Sequence, residues 1–246
     1  MLVVAALYLR LGVRETPVFS QLLAGRRIER APVSLVLVRQ WREVVLTALL
    51  RTGQMAPFYL FTVFILTDAT GTLRLARGEV LTGVLIAAGA SVLTVLIFGF
   101  LSDMVGRRRM VMIGAVAMLL WSYPYWMLIG SRESMLVLIA IVASLPIHDL
   151  QHAPQAALIA ESFTGRLRYS GAGLGSQLAS VVADAPAPLI AFALLRQLGD
   201  PRFIAILTAL SALVSLVAVA ALRDRSRQDM SSEYDEPAVA VTAARL

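Results

Sequence analysis

The chain has 246 residues, a formal net charge of +6 and no cysteine. Hydrophobic residues make up 58% of it and charged residues 15%, whereas soluble domains are about half apolar and about a quarter charged. The composition excludes disulfides and thiolate metal sites, and the apolar residues stand in long blocks, which disfavours a soluble domain.

Residues 1–43 precede the first long apolar block and contain two shorter apolar pieces. Met1–Tyr8 is too short to span a membrane. It lacks the charged region and the cleavage site of a secretory signal peptide, so we interpret it as the remnant of a preceding helix. Pro32–Val38 is followed by arginines and Trp41, which is typical of a segment lying at a membrane surface. We therefore predict a helix remnant and a cytoplasmic amphipathic linker.

Six apolar blocks of about 20 residues fill residues 44–222, and each is long enough to cross ~30 Å of hydrocarbon. We predict an all-α integral membrane domain of six transmembrane helices. Residues 223–246 begin with arginines and then become acidic, which favours a disordered cytoplasmic tail. The predicted spans are Val44–Leu66, Val80–Phe98, Met110–Ile129, Met135–Leu158, Gly171–Leu195 and Phe203–Leu222.

The distribution of arginine predicts the orientation of these spans. Sixteen of the 22 arginines lie in segments 9–43, 99–109, 159–170 and 223–246, and five lie in the connections on the other side. Cytoplasmic loops carry the excess of positive charge, so we expect both termini in the cytoplasm. Because the charge is spread over four loops rather than gathered in one patch, it does not indicate a nucleic-acid partner.

A charged hairpin, Gly99–Arg109, joins the second and third spans. Gly106 allows a tight turn, and Asp103 is placed to cap the following helix. This hairpin is similar to the loop between helices 8 and 9 of the major facilitator superfamily. Glu15–Phe19 resembles the segment after helix 6 of its metabolite:proton symporters, and Glu161–Gly171 resembles their run between helices 10 and 11.

The resemblance implies one half of a twelve-helix secondary active transporter that holds its substrate between two six-helix halves. This chain would supply helices 7–12, in a bacterial inner membrane. The implied partners are the lipid bilayer, a small polar metabolite such as an organic acid or osmolyte, and either a missing N-terminal half or a homodimer partner. The proton would be the coupling ion, with no cofactor and no enzyme activity. By the same resemblance, a latch between the halves would use Gly99, Asp103, Gly106, Arg107, Arg108, Glu161, Arg166 and Arg168.

Four ionisable residues lie inside the first and fourth predicted spans: Arg51, His148, Asp149 and His152. The last three are three or four residues apart or adjacent, which places them on adjoining helix faces. Ionisable residues inside a membrane usually face a cavity, and the resemblance implies that these two spans line the central one. We hypothesise that Arg51 attracts an anionic substrate group while Asp149 and the histidines exchange protons. In the alternative, Arg51 extends to the interface and Asp149 forms only a structural pair.

Further polar candidates are Gln54, Tyr59 and Gln151, which could hydrogen-bond substrate. Asp184 stands beside two prolines in the fifth span, where it could be a second proton-relay carboxylate or part of a hinge.

Two other functions are open from the sequence. The segment from His148 to His152 imitates the paired histidines and the acid of a zinc protease helix, with Asp184 as a third ligand. A truncated or non-transporting membrane remnant or subunit is the other alternative, because a six-helix half would leave its cavity face exposed.

Overall fold

The computed structural model describes residues 32–71, 76–184 and 186–225. Met1–Tyr8, Glu15–Phe19 and residues 226–246 of the tail lie outside the described residues. Within the described ranges there is one short helix, α1 (Pro32–Arg39), and six helices long and apolar enough to cross a membrane. The long helices are α2 (Trp41–Gly71), α3 (Arg77–Val105), α4 (Arg107–Gly130), α5 (Ser134–Glu161), α6 (Arg168–Leu198) and α7 (Arg202–Ala221).

The prediction of six spans is confirmed. Most of the helices run beyond the predicted apolar blocks by one to seven residues, because serine, threonine and charged residues continue the helical hydrogen-bond ladder outside the apolar stretch. The segment predicted at the membrane surface forms α1. Its Val36 is buried, while Trp41, at the start of α2, is 61% exposed.

Two of the long helices contain a π-helical turn, at Leu60–Phe64 in α2 and at Ser180–Asp184 in α6. Each turn lies within three residues of a proline, Pro57 or Pro186. Proline lacks the N–H that a regular α-helix uses, and isolated π turns are common at functional positions. The hydrogen-bond register therefore changes near the middle of both helices.

The six helices form two inverted units of three. Helix α7 packs on α2 and α4, α5 packs on α3 and α4, and α6 packs on α2. Exchanging α2 with α5, α3 with α6 and α4 with α7 reproduces the same set of contacts. Because α2 and α5 begin at opposite ends of the bundle, the two units have opposite directions, as in transporters built from inverted repeats.

Glycines bring neighbouring helices into close contact at several places, two of which involve α4 with α5 and α6 with α2. A Cβ atom at Gly114 of α4 would lie 2.5 Å from the backbone nitrogen of Gln151 in α5, and Gly175 of α6 lies directly against Thr47 of α2. Small residues permit such approach between membrane helices. The position of α5 therefore depends on the glycine in α4.

The apolar core and the apolar surface occupy different parts of the bundle. Phe61, Phe64, Tyr125 and Trp126 pack together in a buried aromatic cluster. Helix α3 instead exposes large apolar side chains along most of its length, for example Leu96. An exposed apolar helix face of this extent is suited to contact with lipid.

Candidate functional site

Five polar side chains from three helices meet near the middle of the bundle, and we name them the central cluster. They are Gln54 of α2, Thr94 of α3 and His148, Asp149 and His152 of α5. Gln54 lies thirteen residues after the start of α2, and His148 lies thirteen residues before the end of α5. At 1.5 Å per residue both are ~20 Å from the same end of the bundle, which places the cluster deep between the two ends.

Hydrogen bonds link the cluster into a chain. Nε2 of Gln54 contacts Nε2 of His148 and lies 3.4 Å from Nδ1 of His152. Nδ1 of His148 is 3.3 Å from Oδ1 of Asp149, and the hydroxyl of Thr94 donates to Oδ2 of that carboxylate at 2.5 Å. The two imidazole rings are stacked, with their centroids 5.2 Å apart. Direct contacts thus connect an amide, two imidazoles and a carboxylate in one chain.

The cluster runs from the interior of the bundle to its surface. Gln54, His148 and Asp149 are each at most 2% exposed, whereas His152 is an exposed residue. Buried polar groups are stable only when their hydrogen bonds are satisfied. The chain of contacts therefore connects a buried carboxylate with an imidazole that an external ligand can reach.

Arg51 brings a positive charge to the same place. It lies one turn before Gln54 on α2, and its charge acts on His152. Its Nε is buried without a hydrogen-bond partner, and no ion pair of Arg51 is found among the described residues. A guanidinium without a carboxylate partner at this depth is suited to an anionic ligand.

Two further predicted substrate residues, Tyr59 and Gln151, do not join the cluster. Tyr59 packs edge-on against Phe58, whose own ring lies 5.4 Å from that of His148. The amide oxygen of Gln151 accepts a hydrogen bond from Ser215 of α7 at 3.3 Å, on another face of α5. Asp184 is the last residue of the π turn in α6, and the structure describes only its backbone.

The hairpin predicted as a latch forms a charged network at the end of the bundle where α3 meets α4. We name Asp103, Arg107 and Glu161 the end network. Arg107 bridges the other two: it lies 3.0 Å from Oδ1 of Asp103 and contacts Oε1 of Glu161. The contact joins the start of α4 to the end of α5.

One sequence prediction about this hairpin is wrong. Asp103 does not cap α4, because the N-cap position is taken by Gly106, which has a φ of 104° and no side chain. Asp103 lies one turn earlier, in the last turn of α3, and pairs with Arg107 instead. The predicted tight turn at Gly106 is present, since this φ lies in the region that favours glycine.

The remaining latch residues lie around the same end. Arg108 donates to the carbonyl oxygens of Val219 and Ala220 at the end of α7, at 3.1 and 2.7 Å. Arg168 donates to the carbonyl of Ala160 at 3.0 Å. Gly99 lies within α3 and Arg166 lies in the turn between α5 and α6.

Two arginines outside the predicted set reinforce this end. Arg42 donates to the carbonyl of Ala221 at 3.4 Å. Arg225 contacts the carbonyl of Ser162 and lies 3.3 Å from the carboxylate of Glu43. The end of α7 is thus held by guanidinium groups from α2 and α4, because cations stabilise helix C-termini.

Sequence reasoning missed Thr94, which contacts the key carboxylate, and Ser215, which contacts Gln151. Both are hydroxyl residues in otherwise apolar helices, where such side chains commonly bond to their own backbone. The signal that could have found Thr94 is that it is one of few polar residues in the apolar stretch of α3. A cavity of about 550 Å³ between the starts of α3 and α5 contains none of the predicted site residues.

The family model of sugar (and other) transporters matches residues 7–231. The shikimate transporter of Escherichia coli is 31% identical over 92% of this chain and 52% of its own length. An inner membrane metabolite transport protein of the same organism is 31% identical over 77% of the chain and 44% of its own length. The citrate-proton symporter of Klebsiella pneumoniae is 24% identical over 79% of this chain and 44% of its own length.

The chain spans about half the length of the curated relatives it matches. No solved structure matches it. The matched proteins are transporters and not enzymes. The zinc protease alternative is therefore discarded.

Proposed function

This chain belongs to the sugar and other transporter family of the major facilitator superfamily, and we propose that it forms the C-terminal six-helix half of a proton-coupled symporter for small organic anions. The observation that carries the proposal is the central cluster with Arg51 beside it. A buried carboxylate, two imidazoles and a guanidinium that has no carboxylate partner among the described residues stand where α2 and α5 meet.

Proton coupling is the proposed role of Asp149 and the histidines. An ionisable group in the membrane interior is costly, and such groups mark proton or substrate pathways. The imidazole of His148 lies between the carboxylate of Asp149 and the amide of Gln54, while His152 is exposed. Protons would enter at the exposed ring and be held by the buried pair of His148 and Asp149.

Binding of an anion is the proposed role of Arg51. Guanidinium groups pair well with carboxylates, and Arg51 has no such partner in the part of the chain that the structure describes. Two relatives are named for shikimate and for citrate, and both compounds are carboxylates. The names support an organic acid over a zwitterionic osmolyte.

The second half would complete the site. We propose a partner of six further helices, in the same polypeptide or in another copy, that covers the exposed ring of His152. The end network would act as the latch between the halves. By the arginine distribution, this end faces the cytoplasm, and the location is a bacterial inner membrane.

The test begins with the size of the protein in its native membrane, by immunoblot against the tail. We expect a band near twice the 26.6 kDa of this chain, or a complex of that size. Uptake of labelled shikimate, citrate and glycine betaine by vesicles of that membrane is then measured with and without an inward proton gradient. Gradient-driven uptake of either acid supports the proposal. Betaine uptake alone overturns the anion assignment, and no uptake favours the non-transporting subunit.

A further inference from the structure

The amide of Gln54 has an uneven set of contacts. Its nitrogen faces a ring nitrogen of each histidine, whereas its oxygen is buried without a hydrogen-bond partner among the described residues. A primary amide offers two N–H donors on one side and one oxygen that accepts up to two hydrogen bonds on the other. Gln54 is therefore placed so that only one side of its amide meets the imidazoles at a time.

With the amide in this orientation, its contacts specify one tautomer for each ring. The amide N–H groups donate, so Nε2 of His148 and Nδ1 of His152 must both accept. His148 then carries its proton on Nδ1, which faces the carboxylate of Asp149 at 3.3 Å. His152 carries its proton on its other ring nitrogen, Nε2. Both imidazoles are neutral in this arrangement.

A proton added to Nε2 of His148 is incompatible with that arrangement, because two donors would face each other. Rotation of the amide by half a turn removes the conflict and brings the oxygen of Gln54 to face both rings. The oxygen can accept from both, provided that His152 also presents an N–H at Nδ1. His152 satisfies this by losing its proton from Nε2 and gaining one at Nδ1. One proton enters in total: His148 becomes an imidazolium and His152 stays neutral.

We propose that Gln54 is an amide switch that couples protonation of His148 to the tautomer of His152. The proposal rests on the proposed proton role of this site and names the positioning residue that carries the signal. The charged groups that act on the pair are Arg51 from α2 and Asp149 from α5, and α3 contributes the hydroxyl of Thr94, which does not titrate.

The switch changes what the site offers to a ligand. Before the proton binds, Nε2 of His152 is a hydrogen-bond donor, and afterwards it is an acceptor. His152 is the exposed member of the cluster, and a substrate can reach its ring. The protonation state of the buried pair of His148 and Asp149 therefore determines which hydrogen bond His152 can make with a substrate. Recognition at His152 thus differs between the two proton states without movement of a helix.

The chain allows a direct test because these are its only two histidines. The protein is labelled with ¹⁵N-histidine, reconstituted in lipid, and titrated while the four imidazole nitrogens are followed by NMR. We expect a single transition, in which His148 gains a proton and His152 changes tautomer with the same midpoint. In Gln54→Leu, His148 should still titrate while the tautomer of His152 stays constant. As a control, Gln155→Leu removes a different buried amide, which lies on α5, and should keep the coupled transition.

The wild-type titration alone can overturn the switch. Separate midpoints for the two rings, or a His152 tautomer that is constant across the titration, exclude it even if the Gln54 variant does not fold. Coupled rings with uptake that ignores the proton gradient would leave the switch intact and overturn the proposed function. Independent rings with gradient-driven uptake would do the reverse.

Discussion

The central cluster and the end network are both built from charged and polar side chains. They differ in how completely those groups are paired with hydrogen-bond or ion-pair partners. In the end network Arg107 meets two carboxylates, and the side chains are 11–61% exposed. In the central cluster the carboxylate and one imidazole are almost fully buried, while the amide oxygen of Gln54 and Nε of Arg51 have no hydrogen-bond partner among the described residues.

The contrast separates groups that hold the bundle together from groups that are kept for another reason. Ion pairs near the surface are inexpensive and contribute little individually. Buried groups with unsatisfied atoms cost stability. Because buried atoms without partners cost stability, we explain the central cluster by its function rather than by its contribution to stability.

The largest expected effect comes from Asp149→Asn. Replacement of the carboxylate keeps the shape and the contact with Thr94 but removes the charge that binds a proton. We expect proton-driven uptake to fall by ~100-fold or more, the scale of a lost proton-transfer group, with unchanged amounts in the membrane. Asp200→Asn, in the connection before α7, is the control and should transport normally. Full uptake by Asp149→Asn would make the central cluster structural, like the end network.

Gly114→Ala tests whether packing holds the central cluster in place. The added methyl group would press on the backbone of α5 at Gln151, and backbone cannot move aside as a flexible side chain can. We expect the free energy of unfolding to fall by about 1–3 kcal/mol, measured by detergent titration with tryptophan fluorescence. Gly89→Ala in α3 faces open space and serves as the matched control. Equal stability of the two variants would contradict the tight contact.

Glu161→Gln measures the end network itself. The variant keeps a hydrogen-bond acceptor for Arg107 but removes the charge, and Asp103 remains as a second partner. We expect a loss of about 1 kcal/mol in the same unfolding measurement. A cycle with Arg107→Gln isolates the pair. A loss as large as that of Gly114→Ala would show that the end network does more than close the bundle.

Asp103→Asn should have the smallest effect. Its carboxylate is 61% exposed and pairs with Arg107 across the helix break at Gly106, and an exposed ion pair of this kind contributes about 0.5 kcal/mol. A helix cap would contribute about 1 kcal/mol. The unfolding measurement therefore distinguishes the ion pair from the cap that the sequence predicted.

The fold was largely predictable because each membrane span is encoded by a contiguous stretch of the sequence. A block of about 20 apolar residues defines a span on its own, so all six were found from the sequence. The helix ends were less accurate. The sequence predicted that the second span ends at Phe98, and α3 continues to Val105 because the hairpin residues extend the helix.

The site was predictable only where its residues share one helix. His148, Asp149 and His152 are close because of helical spacing alone. The contact of Gln54 with both rings depends on how α2 packs on α5, and that of Thr94 depends on α3, neither of which periodicity reveals. The cap at Asp103 failed because the backbone at Gly106 adopted a conformation that places the N-cap on the glycine itself.

Helix α7 is the last of the described helices to be synthesised, and two helices made before it pack against it. Helix α7 lies against α2 and α4, and Arg42 and Arg108 bind its final carbonyl groups. During synthesis, α7 is therefore made after the other six described helices, α1 to α6. A stop codon shortly before residue 202 would remove less than a fifth of the 246 residues given and leave both guanidinium groups without their carbonyl partners. The protein truncated by such a late stop codon should thus be degraded as readily as one truncated by an early stop codon.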